Sequence, residues 1–330
     1  MGVNVVDHPL TGWTPTDVDW HDGRPIVRWC FTEGVEFTDP FFDQTIERCQ
    51  DDPFRLLFWR QTTGDVMAEL ARTSPGLELS GIIFHLSRCG STLLTQMLGQ
   101  LSQVSVMSEP PVFDHVLRAR TQCPELSEPD LTHWLRTVAS VLGQPRHSGQ
   151  TRLVIKLDAW AIRQWPLIRQ AFPDTPFLFL YRDPLEVIVS HLGHRGYHMI
   201  PGTLPEEFIG IPKTDAQAMT PEQYCATVLR RLCEAALDAA DHGHVRLFNY
   251  SSLPEIVTDV IAPFFGLDIG HADRAALAAI TERDAKNRFV PFVADAADKQ
   301  KQASPEVQSA VNTQVRPVYE ALEAARGSGK

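Results

Sequence analysis

Long apolar runs are missing from this chain of 330 residues. No stretch approaches the ~18 consecutive apolar residues of a membrane-crossing helix, so no helical span is expected. Closely spaced cysteines are missing too. Cys30, Cys49, Cys89, Cys123, Cys225 and Cys233 are scattered, and no Cys-x-x-Cys pair occurs. That excludes the usual zinc and disulfide frameworks and makes a reducing compartment the expectation. Positive charge is in deficit: 30 Lys and Arg stand against 41 Asp and Glu, a net charge of −11. A general nucleic-acid surface is therefore not expected. An anionic ligand would have to be held by local cations against that background. Met1 to Leu10 show no basic segment leading into an apolar one, and Val6 stands where a myristoylation signal needs Ser or Thr. A cytoplasmic location is the resulting expectation. No internal repeat or low-complexity tract stands out.

What is present is an alternation of short apolar runs and helical patterns. Strands are expected over 81–86, 104–107, 153–157, 177–181 and 245–250, and helices over 91–101, 130–142, 160–171, 185–194, 221–242 and 253–265. Continuous apolar strands separated by helices predict an α/β fold, a parallel sheet of about five strands covered on both faces. Ligands of such sheets sit at the carboxyl ends of the strands. Outside this core, residues 1–75 read as an appendage with a hairpin, 25–31 with 35–37 around Glu33-Gly34, and a helix from about 53 to 71. Residues 76–330 form the main domain. Within it 195–220, rich in Gly and Pro, reads as a lid or binding loop. A polar helix over 305–326 ends the chain.

The loops after the expected strands carry the chemistry. The first reads Ser87-Arg88-Cys89-Gly90-Ser91-Thr92 and opens a helix. Unpaired N–H groups at a helix start, the helix dipole and the Arg88 charge suit a phosphate. The ordinary triphosphate-binding pattern, Gly, four residues, then Gly-Lys-Ser/Thr, is not met: no Gly opens the loop and no Lys follows Gly90. After the second strand, Glu109 is followed by Pro110-Pro111, which end the strand. A carboxylate beside an anion site suits a general base; a helix cap or an ion pair is the alternative. Lys156 interrupts the apolar run of the third strand and must meet an anion or a partner such as Glu109 or Asp158. After the fourth strand, Asp183 and Pro184 start a helix. Arg182 and Ser190 could there form a second phosphate clamp or remain structural.

Together these segments resemble the sulfotransferases that use 3′-phosphoadenosine 5′-phosphosulfate. The similarity is closer to the Golgi tyrosylprotein and carbohydrate branches and to bacterial members than to the cytosolic small-phenol enzymes, and it spans 81–267. It implies a P-loop-containing three-layer fold and sulfuryl transfer to a hydroxyl on a small molecule, carbohydrate or peptide, with no metal required. Residue by residue it assigns Arg88, Cys89, Gly90, Ser91 and Thr92 to the 5′-phosphosulfate, and Arg182 and Ser190 to the 3′-phosphate. It assigns Glu109 as base and Lys156, with Arg88, as stabiliser of the transferring group. Tyr250 matches a tyrosine near adenine, although Ser251 and Ser252 replace the acidic pair that follows it in the family.

Three departures stand out. Cys89 replaces a Ser or Thr and is either an oxidisable thiol or an inert small side chain. The Arg-Lys-Gly-x-x-Gly segment of the cytosolic branch is missing, leaving Lys286, Arg288, Lys299 and Lys301 as replacements or as a solvated basic face. Residues 1–75 have no counterpart. His191, His194 and His198 share a helical spacing, with substrate contact favoured over metal ligation. A small-molecule kinase, or a non-catalytic nucleotide-binding relative, is the competing reading.

Overall fold

Two sheets organise the chain. The computed structural model describes residues 8–57, 60–281 and 296–329. The first sheet holds β1 (Trp13–His21), β2 (Arg24–Phe31) and β3 (Arg60–Thr63) in antiparallel order β1-β2-β3. The second holds β4 (Glu78–His85), β5 (Val104–Ser108), β6 (Arg152–Lys156), β7 (Phe177–Tyr181) and β8 (Arg246–Asn249), in order β5-β6-β4-β7-β8. It is the expected five-stranded parallel sheet flanked by helices. Seven helices matter below: α1 (Phe42–Gln50), α2 (Ser91–Leu98), α3 (Pro111–Leu117), α4 (Glu128–Leu142), α5 (Pro184–Gly193), α6 (Pro221–Asp241) and α7 (Arg316–Gly327).

The chain divides into two compact units, one of residues 1–80, 98–157 and 167–175, the other of 81–97, 158–166 and 176–330. In the first, alternation along β1 and β2 buries Val18, Trp20, Val27 and Trp29 on one face. Trp20 meets Trp134 of α4 edge-on, ring centroids 6.2 Å apart. α4 begins with a capping box of Ser127 and Asp130. In the second, all five residues of β7 are buried, and its register with β4 pairs Ile82 with Phe177 and His85 with Leu180. α7 docks on the strand ends through Glu323: Tyr181 Oη donates to its Oε1 at 2.6 Å and Asn249 Nδ2 at 2.8 Å. Burial and this carboxylate push the Tyr181 phenol well above its ordinary pKa. Five strand and five helix positions agree with the sequence to within a few residues.

The N-terminal expectations need correction. The hairpin is β1–β2, turned by Asp22 and Gly23 with φ of 48° and 72°. Asp-Gly is a preferred pair for a turn with two left-handed residues. Pro15 and the polar Thr14, Thr16, Asp17 and Asp19 conceal β1 in the sequence. Glu33-Gly34 does turn, with Val35 N donating to Thr32 O at 3.0 Å, but 35–37 forms no strand. The helix expected over 53–71 is interrupted: Pro53–Leu57 and Gly64–Thr73 are helical, and β3 pairs with β2 between them. The tertiary pairing of Thr62 and Thr63 with Val27 and Ile26 overrides the helical pattern there.

Candidate active site

After β4 the chain turns sharply. Ser87, Arg88 and Gly90 have φ of 48°, 52° and 84°. Non-glycine residues in this region are uncommon and cost of order 1–3 kcal/mol each, so the surroundings must hold them. Leu180 O does much of this: it accepts from Leu86 N at 3.0 Å and from the Cys89 thiol at 3.2 Å. Ser87 N donates to His85 Nδ1 at 2.9 Å. α2 then begins, Leu94 N donating to Gly90 O at 3.1 Å. The N–H groups of Ser91, Thr92 and Leu93 precede the first intrahelical bond, as anion binding at a helix start requires. The Cys89 side chain is buried against β7, so what it offers a ligand is its backbone N–H.

The structure gathers the other residues of this unit around that loop. Arg88 Nη2 donates to His194 O at 2.9 Å, and His194 N donates to Ser190 O at 3.1 Å. Arg88 thus lies beside the end of α5, which carries Ser190. Among the described residues no carboxylate pairs with Arg88, and burial lowers its pKa from the ordinary value. Arg182 is buried, its Nε donating to Glu186 Oε2 at 2.5 Å. Its guanidinium lies 4.3 Å from the ring centroid of Tyr250. The same ring covers Gly90: a Cβ there would fall 2.5 Å from Tyr250 Cδ2. Asp183 caps α5 through Leu185 N at 2.9 Å and pairs with Arg316 at 3.1 Å.

Glu186 was not apparent as a site residue beforehand, and His194 was considered for its side chain, not for the backbone carbonyl that meets Arg88. Glu186 had a signal, the i, i+4 spacing from Arg182; the His194 carbonyl had none. Of the proposed basic replacements, Lys286 and Arg288 lie outside the described residues. Lys299 and Lys301 lie on the helix Ala296–Gln302, whose Gln300 Nε2 donates to Glu186 Oε1 at 3.2 Å. His191 and His198 are buried with ring centroids 5.5 Å apart, and Gly196 N donates to His191 Nδ1 at 3.2 Å. Among the described residues no three metal-ligating side chains converge.

The other unit holds the remaining pair. Glu109 has a φ of 57°, and its N donates to Lys156 O at 2.7 Å. The left-handed turn folds the Glu109 carboxylate onto the lysine that holds its backbone, Oε1 lying 2.8 Å from Nζ. Lys156 is fully buried; 23 % of the Glu109 side chain is exposed. The ring of Phe41 covers the ammonium, its centroid 4.7 Å from Nζ. Asp43, two residues on, feels Glu109: burial first, then the charges of Glu47 and Glu109, raise its pKa. A buried cation with a carboxylate and an aromatic face beside it can stabilise negative charge, and the partly exposed carboxylate can accept a proton.

Residues 82–200 match the model of the Sulfotransferase family, a segment that contains the loop, Glu109, Lys156, Arg182 and Ser190. Among solved structures the chain is similar to a sulfotransferase from Alicyclobacillus acidocaldarius, at 15% identity over 76% of this chain and 96% of that one, TM-score 0.45. It is similar to the sulfotransferase domain from the curacin biosynthetic pathway, at 14% identity over 72% and 98%, TM-score 0.41. It is also similar to sulfotransferase STF9 from Mycobacterium avium, at 11% identity over 74% and 79%, TM-score 0.40. No curated protein matches the chain.

Proposed function

We propose that this chain, a member of the sulfotransferase family through residues 82–200, moves a sulfuryl group from 3′-phosphoadenosine 5′-phosphosulfate to an acceptor hydroxyl. The observation that carries the reading is the placement of Tyr250. Its ring contacts Gly90 of the first anion loop and stacks on Arg182 of the second, so both grips belong to one locality. A nucleotide with phosphates at both ends suits this arrangement: Arg88 lacks a carboxylate partner among the described residues, the first N–H groups of α2 precede its intrahelical bonds, and Arg182 lies against the same aromatic ring that covers Gly90.

In this reading the loop amides of Cys89 to Thr92 and Arg88 hold the 5′ end, and Arg182 with Ser190 holds the 3′-phosphate. The bound nucleotide supplies an already activated sulfuryl group. The protein's part is positioning and charge stabilisation. Glu109 takes the proton of the attacking hydroxyl, and Lys156 supports charge on the oxygens between donor and acceptor. The acceptor is a hydroxyl compound, and residues 195–220 belong to its lid.

A thermal-shift comparison followed by a transfer assay tests this. Adenosine 3′,5′-bisphosphate should raise the midpoint without metal, while ATP with Mg²⁺ should not. Label from ³⁵S-labelled donor should reach a hydroxyl compound in a cell extract. Stabilisation by ATP–Mg²⁺ alone would favour a kinase, and bisphosphate binding without any transfer would leave a non-catalytic relative.

A further inference from the structure

The Lys156–Glu109 pair has a companion from outside the matched residues 82–200. Phe41 directly precedes α1, and its ring centroid lies 4.7 Å from Lys156 Nζ. Local chemistry does not favour it there. Helix starts prefer Ser, Thr, Asp or Asn, whose side chains accept a first-turn N–H, and Phe41 makes no such bond. Glu109, the ammonium's carboxylate partner, holds a φ of 57°. Two locally unfavourable residues thus meet at one buried lysine, and such conflicts concentrate at functional sites.

The segment that carries Phe41 is braced along its length. Phe37 stacks on Phe42, the first residue of α1, with ring centroids 5.2 Å apart and planes at 23°. Arg146 Cζ lies 5.1 Å from the Phe37 centroid. Arg146 is itself fixed, donating to Thr32 Oγ1 at 2.9 Å and to Thr14 Oγ1 at 2.7 Å, two buried hydroxyls 2.6 Å apart. Asp39, midway along the segment, accepts from Thr45 Oγ1 at 2.8 Å and from Arg48 Nη2 at 2.8 Å, both on α1. Residues 37–41 are therefore a strap tied to α1 and to Arg146, and it delivers Phe41 to Lys156.

We propose that Phe41 is a positioning residue for sulfuryl transfer: the strap holds its ring on the Lys156 ammonium, and the ring keeps that ammonium against Glu109. The inference rests on the sulfotransferase reading. In the transfer the acceptor oxygen bonds to sulfur, the bond from sulfur to the phosphate oxygen breaks, and the acceptor's proton passes to Glu109. Lys156 must already stand in place for the charge that builds on those oxygens. An aromatic face attracts an ammonium without accepting a conventional hydrogen bond. The ring thus fixes Nζ while leaving its N–H groups for Glu109 and the transferring oxygens. A carboxylate or amide at position 41 would hold the lysine only by consuming one of them.

Variants of the full chain test this below their melting transitions. Each is read by turnover at saturating ³⁵S-labelled donor into one batch of cell extract, and by calorimetry with adenosine 3′,5′-bisphosphate. Phe41→Leu should lower turnover roughly 2- to 30-fold, the range a cation–π contact spans, with the dissociation constant within about twofold. Phe41→Tyr keeps the electron-rich face and should stay within about twofold of the unaltered chain. Phe37→Ala removes the brace and leaves the Phe41 ring. It should also lose turnover, and adding it to Phe41→Leu should cost no more than Phe41→Leu alone. A pulse of acetic anhydride reads the same cover without turnover. Phe41→Leu should speed acetylation of Lys156 at least fivefold relative to the exposed Lys213, and Phe41→Tyr should not. An unaltered chain that transfers no label defeats the sulfotransferase reading, and the role with it. An active chain in which folded Phe41→Leu turns over at the unaltered rate, or Phe41→Tyr loses as much as Phe41→Leu, or the loss lies in nucleotide affinity, overturns the positioning role alone.

Discussion

The anion loop and the Glu109–Lys156 pair both place non-glycine residues in the left-handed region, and they use it differently. At the loop, Ser87, Arg88 and Gly90 all have positive φ, and the chain turns there directly into the start of α2. Its cation, Arg88, rests on a neutral carbonyl. At Glu109 a single positive φ turns one side chain back onto a buried lysine, and the charges there compensate each other. One region leaves a cation without a carboxylate partner among the described residues; the other holds a carboxylate and an ammonium in a fixed relation. Variants of the first should therefore change what binds, and variants of the second should change what happens after binding.

The largest effect is expected at Glu109. General base catalysis contributes roughly 100- to 10,000-fold, so Glu109→Gln should lower kcat by that order while the dissociation constant of adenosine 3′,5′-bisphosphate stays within about twofold. Steady-state kinetics and calorimetry read the two quantities separately, and equal losses in both would erase the contrast between the regions. Removing one partner of a buried pair costs about 3–5 kcal/mol, here toward the low end because Glu109 is part-exposed. Adding Lys156→Met to Glu109→Gln should therefore recover stability in urea melts without recovering turnover.

Next comes Arg182→Ala. A hydrogen bond to a charged group contributes about 1.5–3 kcal/mol, so the nucleotide should bind roughly 10- to 150-fold more weakly, with kcat at saturating donor little changed. Unchanged affinity by calorimetry would remove Arg182 from the 3′-phosphate. Glu186 must exchange or share this guanidinium when a phosphate arrives, so Glu186→Gln should tighten binding modestly.

Much of this was legible beforehand, for identifiable reasons. The strands of the parallel sheet are buried on both faces and read as unbroken apolar runs; Phe-Leu-Phe-Leu-Tyr of β7 lies where expected, residue for residue. Pro184 after Asp183 marked the start of α5. Lys156 stood out because a charge in such a run needs a partner, and Glu109 was one of those considered. Features that depend on tertiary contact were not legible. β1 is half polar and reads as loop until β2 pairs with it, and β3 sits in a helical pattern until β2 claims it. The Arg88–His194 contact uses a backbone carbonyl, which has no sequence identity. Phe41 over Lys156 joins residues more than a hundred positions apart in unrelated segments.

A smaller effect, on the loop alone, is expected from Gly90→Ala. An L-residue in the left-handed region costs about 1–2 kcal/mol. The new methyl would also meet the Tyr250 ring, so the ring must move off the loop. Adding Tyr250→Ala should relieve the collision and leave the backbone cost, so the double variant should be less unstable than the two single losses summed. Strict additivity in urea melts would mean that Tyr250 does not lie on Gly90.

The smallest effect, and the finest test of the contrast, lies at Phe41. Cation–π contacts contribute about 0.5–1 kcal/mol at exposed sites and about 2 when desolvated, and Lys156 is fully buried. Phe41→Leu keeps most of the apolar cover but loses the electron-rich face, so about 1 kcal/mol of stability should go. Phe41→Tyr keeps the face and should lose less. If the ring serves the ammonium, the double variant Phe41→Leu with Lys156→Met should lose no more than Lys156→Met alone, because the cation is gone. Nucleotide affinity should be untouched throughout, since the ring belongs to the Lys156 unit and not to the loop. Equal losses for Leu and Tyr would reduce Phe41 to simple apolar cover and leave the Glu109 carboxylate as the contact that distinguishes this lysine.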